Sequence, residues 1–202
     1  MKITSIKQQV KTANRYSIFV DEKYSFSLSE TALLDSRLTS GQELTAQQIE
    51  EYKHLSADDK VYNRALRYVA MRSRSTWEMQ NYLERKEASE GLIVQTLQKL
   101  TELGLLNDAE YAASFVRNRQ LLKPTSRRKL IMELKKKRIS ESHIQQALEA
   151  NDLNETDSLQ QVITKMRRQS KYSDDNKLMQ YLARQGFGYG DIKSALAKSD
   201  DY

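Results

Sequence analysis

The chain has 202 residues, of which 30% are charged and 39% hydrophobic, with six Gly, one Pro and a formal net charge of +6. It contains no Cys, which excludes disulfides, thiolate metal sites and Cys nucleophiles and is typical of a reducing compartment, so we expect a cytoplasmic protein. No apolar run approaches the roughly 18 residues that cross a bilayer, and residues 1–10 are polar and mixed, so we expect no membrane partner and no secretory signal.

The first 56 residues are predicted to form a small module that contains a β-hairpin. Residues 16–20 and 24–28 are rich in β-branched and aromatic side chains, and the second run alternates strictly. Residues 21–23 between them suit a short hairpin loop, and residues 3–10 can supply a third strand. Two helices should follow: one capped by Ser29 that ends near residue 37, and one opened by a capping box at Thr45 that ends near residue 55.

From residue 57 onward the apolar spacing is helical and repeats itself. Three sets of residues share the internal spacing +4, +10, +4: Met79/Leu83/Ile93/Leu97, Leu130/Leu134/Ile144/Leu148 and Leu178/Leu182/Ile192/Leu196. Each set is expected to lie on a helix–turn–helix that follows an upstream helix. The sequence therefore predicts a mainly α fold, with three tandem three-helix repeats at 57–106, 107–151 and 152–202 that form an elongated, curved body behind the N-terminal module of residues 1–56. A long concave face of this kind suits a filament or a groove better than a small substrate.

The positive charge is concentrated in the second repeat. Residues 117–138 hold ten Lys or Arg and one acidic residue, Glu133. Ser126, two residues after the only proline, is predicted to cap a helix that turns Leu130 and Leu134 toward a core. On the opposite face we expect Arg128, Lys129, Lys135 and Lys136.

The charges in the first turn of this predicted helix interact unfavourably with the helix dipole. Arg127, Arg128 and Lys129 place cations at the positive end of the macrodipole, where an anion is favoured. The equivalent helices of the other repeats open with the capping box Ser75-Thr76-Trp77-Glu78 and with Asp174-Asp175. We therefore expect an anionic ligand at the middle repeat, although most charge runs are only solvated faces.

Two groups of candidate contact residues follow from the charge pattern. The predicted DNA- or filament-binding residues are Arg117, Arg119, Lys123, Arg127, Arg128, Lys129, Lys135, Lys136, Lys137 and Arg138. Secondary contacts are predicted at Arg72, Arg74, Arg167, Arg168 and Lys171. Trp77, at a helix start, is expected to pack against its neighbours rather than to stack on a base.

The sequence gives little support to an enzyme. His54 and His143 are the only histidines, they lie in different modules, and neither has a metal-ligand spacing around it. There is no Gly-rich phosphate loop. The acid pairs Glu50-Glu51, Asp58-Asp59, Asp174-Asp175 and Asp200-Asp201 are interpreted as helix starts, helix ends or tail. We therefore predict no catalytic residues, no metal and no cofactor.

Several stretches of the chain form a recognisable set of motifs: residues 100–112 with the run Leu103-Gly104-Leu105-Leu106, then 115–117, 64–68 with 72–75, 123–135 and 181–187. Together these stretches resemble the RecX family, which regulates the bacterial recombinase RecA. The resemblance covers about residues 61–198. The first repeat departs from it, with Lys86-Glu87-Ala88 where the family pattern is Lys-Gly-aromatic.

The resemblance implies a mostly helical, modular protein that binds RecA filaments on single-stranded DNA and dampens ATP hydrolysis and strand exchange. It also implies some affinity for DNA itself, with double-stranded DNA as a further candidate ligand, and we expect a monomer. The residues alone leave a second interpretation open, a stand-alone nucleic-acid-binding protein that tolerates any base sequence.

Overall fold

The computed structural model describes residues 1–151 and 154–199, so the predicted Asp200-Asp201 pair lies outside the described residues. The strands are β1 Ile3–Gln9, β2 Thr12–Val20 and β3 Lys23–Ser29; the helices are α1 Glu30–Ser36, α2 Ala46–Met71, α3 Thr76–Glu84, α4 Glu90–Glu102, α5 Asp108–Leu122, α6 Arg127–Lys136, α7 Glu141–Ala150, α8 Glu155–Arg167, α9 Asp175–Arg184 and α10 Tyr189–Ser199. The chain packs as two compact units, unit 1 from Met1–Arg72 and Met79–Leu105, and unit 2 from Ser73–Glu78 and Leu106–Tyr202.

The N-terminal strands form one antiparallel sheet in the order β1-β2-β3, which confirms the hairpin and its third strand. The loop between β2 and β3 has two residues, Asp21 and Glu22, both with positive φ of 48° and 67°. A two-residue loop with this backbone matches the right-handed twist of the strands. The sheet, α1 and the start of α2 enclose a core around Ile3, Ile18 and Leu28.

The helix predicted to end near residue 55 continues to Met71, so this prediction is wrong. The capping box at Thr45 is present, but no Gly or Pro follows it that could break the helix. Asp59, in one of the acid pairs interpreted as helix starts, helix ends or tail, is buried within α2 and forms an ion pair with Arg15 of β2 at 2.8 Å. The module boundary predicted after residue 56 therefore falls inside α2.

Three helices per repeat are confirmed: the end of α2 with α3 and α4, then α5–α7, then α8–α10. The equivalent leucines Leu83, Leu134 and Leu182 are all fully buried. Of the twelve residues in the repeated pattern, Leu97 alone is only partly buried. The periodic apolar residues thus form the interior of each repeat.

The turn between the last two helices is also the same in all three repeats. Glu87, Arg138 and Gly186 adopt the left-handed conformation, with φ of 57°, 57° and 90°. The next backbone N–H donates to the carbonyl of the core leucine, for example from Ile139 to Leu134 at 3.3 Å. This closure ends α3, α6 and α9 in the manner of a Schellman motif. Among the described residues, none of the helices is long and apolar enough to span a bilayer.

Candidate nucleic-acid interface

The helix α6 presents its cations because its apolar residues are committed to the core of the second repeat. The hydroxyl of Ser126 accepts a hydrogen bond from the backbone N–H of Lys129 at 3.1 Å, as predicted for the cap. Leu130 and Leu134 are fully buried and pack in one cluster with Val116 of α5 and Ile144 of α7. Positions 128, 132, 135 and 136 consequently point to solvent.

Three of the predicted binding cations are paired with carboxylates. Arg119 lies 2.9 Å from Glu133, and Lys135 lies 2.7 Å from Glu141. Lys137 lies 2.7 Å from Glu78, a side chain that is only 8% exposed. The pair of Lys137 is therefore part of the packing, whereas both members of the Lys135–Glu141 pair are about half exposed.

Two first-turn cations of α6 are also engaged within the protein. The ammonium of Lys129 donates to the side-chain oxygen of Gln185 at 2.7 Å. The guanidinium of Arg127 donates to the side-chain oxygen of Gln145 at 2.9 Å, and its backbone N–H donates to Glu155 at 3.3 Å. The sequence expectation that Lys129 is presented outward is thus wrong, because it is half-buried against the turn of the third repeat.

Lys129 and Lys137 lie on opposite sides of a junction that occurs twice, once between the first and second repeats and once between the second and third. Lys137 is equivalent in the repeat to Gln185, and Glu78 is equivalent to Lys129. One junction is therefore the ion pair Lys137–Glu78, and the other is the hydrogen bond from Lys129 to Gln185. These two lysines have a structural role that explains their presence without any ligand.

The remaining predicted binding cations are exposed. Among the described residues, none pairs with the side chains of Lys123, Arg128, Lys136 or Arg138 through an ion pair or a hydrogen bond. Arg117 is exposed and, within the described part of the chain, its side chain donates to the hydroxyl of Ser114 at 3.2 Å. The cations available to an anion are thus fewer than the charge pattern suggested.

Arg128, Lys136 and Arg138 line one open groove of about 550 Å³ in unit 2. The same groove is lined by Trp77, Ile131, Met132 and Lys135. Trp77 is 37% exposed and Met132 is 47% exposed. The groove therefore combines cations with an accessible aromatic ring, the two kinds of group that single-stranded nucleic acid engages.

Trp77 reaches this groove through contacts of the segment Ser73–Glu78. Ser75 and Glu78 form the predicted capping box, in which Glu78 N–H donates to Ser75 at 3.2 Å and Ser75 N–H donates to Glu78 at 3.3 Å. The backbone N–H of Thr76 donates to Asp108 of α5 at 2.8 Å. Together with the Lys137–Glu78 pair, these bonds hold the start of α3 beside α6.

The sequence reasoning missed the position of Trp77 at this groove. Trp77 and Arg128 are 51 residues apart, and no local pattern links them. The only sequence signal is that both residues follow equivalent serine caps, Ser75 and Ser126, in successive repeats.

The secondary cations have different surroundings. Arg72 is exposed, whereas Arg74 is buried and does not present its charge to solvent. Arg167 is paired with Asp175 and donates to the carbonyl of Ser173 at 2.9 Å, so it ties the end of α8 to the start of α9. Arg168 and Lys171 are exposed. Contacts by these five residues stay a prediction.

The two histidines lie apart from this groove. His54 is exposed and His143 is half-buried near the start of α7. Within residues 1–151 and 154–199, no group of His, Asp or Glu is arranged to hold a metal ion.

Family models match three parts of the chain. They are described as the regulatory protein RecX N-terminal domain at residues 1–45, the RecX first three-helix domain at residues 62–100 and the RecX second three-helix domain at residues 107–148. The last of these contains the whole of α6.

Relatives of known name and solved structures agree with these models. The chain is 34% identical over 173 residues to the regulatory protein RecX of Listeria innocua, covering 85% of this chain and 64% of the relative, so it spans less than two thirds of that protein. It is 31% identical over 199 residues to the regulatory protein RecX of Bacillus subtilis, covering 96% of this chain and 75% of the relative.

A crystal structure of regulatory protein RecX superposes with a TM-score of 0.74 at 28% identity, covering 97% of this chain and 98% of the other. The structure of RecX from Lactobacillus salivarius gives 0.59 at 27% identity, covering 72% and 97%.

Proposed function

Because the chain belongs to the RecX family of regulatory proteins, we propose that it is a negative modulator of the RecA recombinase. In this proposal it binds RecA filaments on single-stranded DNA and dampens ATP hydrolysis and strand exchange. The membership supports the kind of activity, and the exposed cations of α6 support the means of binding.

The observation that carries the proposal is the cation set Arg128, Lys136 and Arg138. Their side chains share one groove and form no ion pair with a carboxylate among the described residues. A cluster of unneutralised charge raises the local concentration of an anionic partner and speeds association with it. A DNA backbone or an acidic surface of a filament satisfies this requirement.

Lys135 can join the set when a partner binds. Its hydrogen bond lowers the pKa of Glu141, but both side chains are about half exposed. Exposed ion pairs contribute little to stability because water and salt screen them. Exchange of Glu141 for a phosphate or a partner carboxylate therefore costs little.

The test is a charge reversal confined to the groove. We expect the triple variant Arg128→Glu, Lys136→Glu, Arg138→Glu to lose inhibition of RecA ATP hydrolysis on single-stranded DNA while it stays folded and melts cooperatively. The matched control is Lys165→Glu, Lys177→Glu, Lys193→Glu, three exposed cations of the third repeat with the same change in net charge. Full inhibition by the groove variant would refute the role of α6.

The second candidate is a stand-alone nucleic-acid-binding protein, which the aromatic ring beside the cations favours. Binding to naked and to RecA-coated single strands at physiological salt separates the two candidates. For naked single-stranded DNA, each phosphate contact removed should shallow the slope of log affinity against log salt by about 0.7. An acidic protein surface should give a milder salt dependence.

A further inference from the structure

We propose that the groove between the start of α3 and α6 holds one base of single-stranded DNA against the indole of Trp77, while Arg128, Lys136 and Arg138 contact the adjoining phosphates. This inference rests on the proposed function, because it names the group that the basic face receives. It assigns to Trp77 a base-stacking role that the charge pattern does not require.

The apolar part of the groove is the first support. A surface that binds only phosphates needs cations, yet this groove also exposes Trp77 and Met132 at 37% and 47%. Large apolar side chains exposed together usually mark an interaction site. An aromatic face beside cations is the arrangement on which single-stranded nucleic acids stack their bases.

The spacing of the cations is the second support. Arg128 and Lys136 are eight residues apart on α6, which is about 12 Å along the helix axis. This distance exceeds the rise between successive phosphates of one strand, about 3.4 Å in B-form DNA. Two cations at this separation can therefore contact different phosphates of one strand.

The third support is the rigidity of the backbone on both sides of Trp77. Trp77 lies between Thr76, whose backbone is bound to Asp108, and Glu78, whose carboxylate is bound to both Lys137 and Ser75. A backbone fixed on both sides of the aromatic residue loses less conformational entropy when a ligand binds. The groove is thus partly preorganised for a planar ligand.

A preference for single strands follows from this geometry. A base that is paired and stacked in a duplex has no free face, and exposing it costs a few kcal/mol. Stacking on Trp77 consequently favours single-stranded over double-stranded DNA, independently of the phosphates. It carries little base specificity, since every base has a π-face.

Trp77 is the only tryptophan among the chain's fluorescent side chains, which include eleven tyrosines, so fluorescence excited selectively at tryptophan reports on this groove. We would titrate the full chain with oligothymidylate and with an abasic deoxyribose-phosphate oligomer of the same length. The expected results are strong quenching by oligothymidylate and weaker, unquenched binding of the abasic oligomer. Trp77→Ala should weaken oligothymidylate binding by roughly 5- to 150-fold, and Trp77→Phe should retain most of it.

The outcomes separate this inference from the proposed function. If both oligomers bind equally, without quenching, and Trp77→Ala binds like the unmodified chain, the stacking role is overturned while a role for the cations stands. If the groove charge reversal abolishes inhibition of RecA but neither oligomer binds, the groove contacts a protein and the stacking role is again overturned. If the charge reversal leaves inhibition intact, the proposed function of α6 itself fails. Melting temperatures of all variants confirm that they are folded.

Discussion

At the scale of single residues, the three left-handed turns make different demands on their side chains. Glu87 and Arg138 adopt positive φ although each carries a Cβ. Gly186 adopts positive φ as well, and it also packs closely against the cap of α6. A Cβ at position 186 would collide with the hydroxyl of Ser126, which itself donates to the carbonyl of Gln185 at 2.9 Å. Gly186 is therefore required both by its backbone and by the space around it.

The first prediction concerns Gly186→Ala. Strain at positive φ costs about 1–2 kcal/mol, and overpacking against Ser126 adds roughly 1–3 kcal/mol. The matched control is Gly104→Ala, because Gly104 also has positive φ but has open space where the Cβ would lie. Urea denaturation should show the larger loss for Gly186→Ala, and equal losses would contradict the close packing.

The second prediction compares Arg138→Gly with Glu87→Gly. Both changes relieve a non-Gly residue at φ 57°, so both should raise the free energy of unfolding by up to about 1 kcal/mol. Only Arg138 lines the groove, so only Arg138→Gly should weaken binding to single-stranded DNA. Equal binding by the two variants would remove Arg138 from the site.

At the scale of elements, α2 is joined to the sheet by a buried polar cluster around Asp59. Its carboxylate pairs with Arg15 of β2 and accepts hydrogen bonds from the backbone N–H and the hydroxyl of Ser29, at 2.9 and 2.5 Å. Asn63, one turn later in α2, donates to it at 2.9 Å. These bonds explain why an acidic residue is tolerated beneath the sheet.

The third prediction concerns this cluster. Asp59→Ala should lower the free energy of unfolding by about 3–5 kcal/mol, because it leaves the charge of Arg15 buried without its partner. The double variant Arg15→Met, Asp59→Leu should recover much of the loss, since apolar replacements often match a buried ion pair. Denaturant titration of the three variants checks this. A cost below about 1 kcal/mol for Asp59→Ala would mean that water reaches the pair.

The fourth prediction concerns the first turn of α6. Arg128→Glu replaces a cation with an anion at the positive end of the helix dipole, so the free energy of unfolding should rise by a few tenths of a kcal/mol. Arg127→Glu and Lys129→Glu should lower it instead, because they break the hydrogen bonds to Gln145 and Gln185. If all three changes shift the melting temperature alike, these hydrogen bonds do not hold in solution.

At the scale of the whole molecule, the N-terminal core is self-contained within unit 1. Its fully buried residues all lie between Ile3 and Ile49, so a truncation removes the cluster without leaving part of it behind. The second and third repeats each have a cluster of their own. Removal of the N-terminal core therefore leaves the apolar clusters of these two repeats in place.

The fifth prediction is that a chain lacking residues 1–56 keeps a folded helical body and retains the proposed inhibition of RecA. Asp59 then loses Arg15, but the removal of the sheet also returns its carboxylate to water, so no buried charge remains. Far-UV circular dichroism and thermal melting test the fold, and inhibition of RecA ATP hydrolysis tests the function. Loss of cooperative melting in this chain would contradict the prediction.

By itself, the sequence determined the features that depend on residues close together in the chain. The apolar period identified the core leucines Leu83, Leu134 and Leu182, and the serine caps identified the starts of α1 and α6, because both depend on residues within one or two turns. The family resemblance rested on the same local motifs. The end of α2 was missed because no local pattern shows that Asp59 is buried within the helix against Arg15, which lies 44 residues earlier.

The tertiary structure alone decided which cations remain available. Lys129, Lys137 and Arg127 look the same as Arg128 and Lys136 in sequence, but their partners Gln185, Glu78 and Gln145 come from distant positions. The position of Trp77 in the groove depends likewise on Asp108 and Lys137. Ion pairs and grooves form between segments far apart in the chain, and only the packing of the repeats brings those segments together.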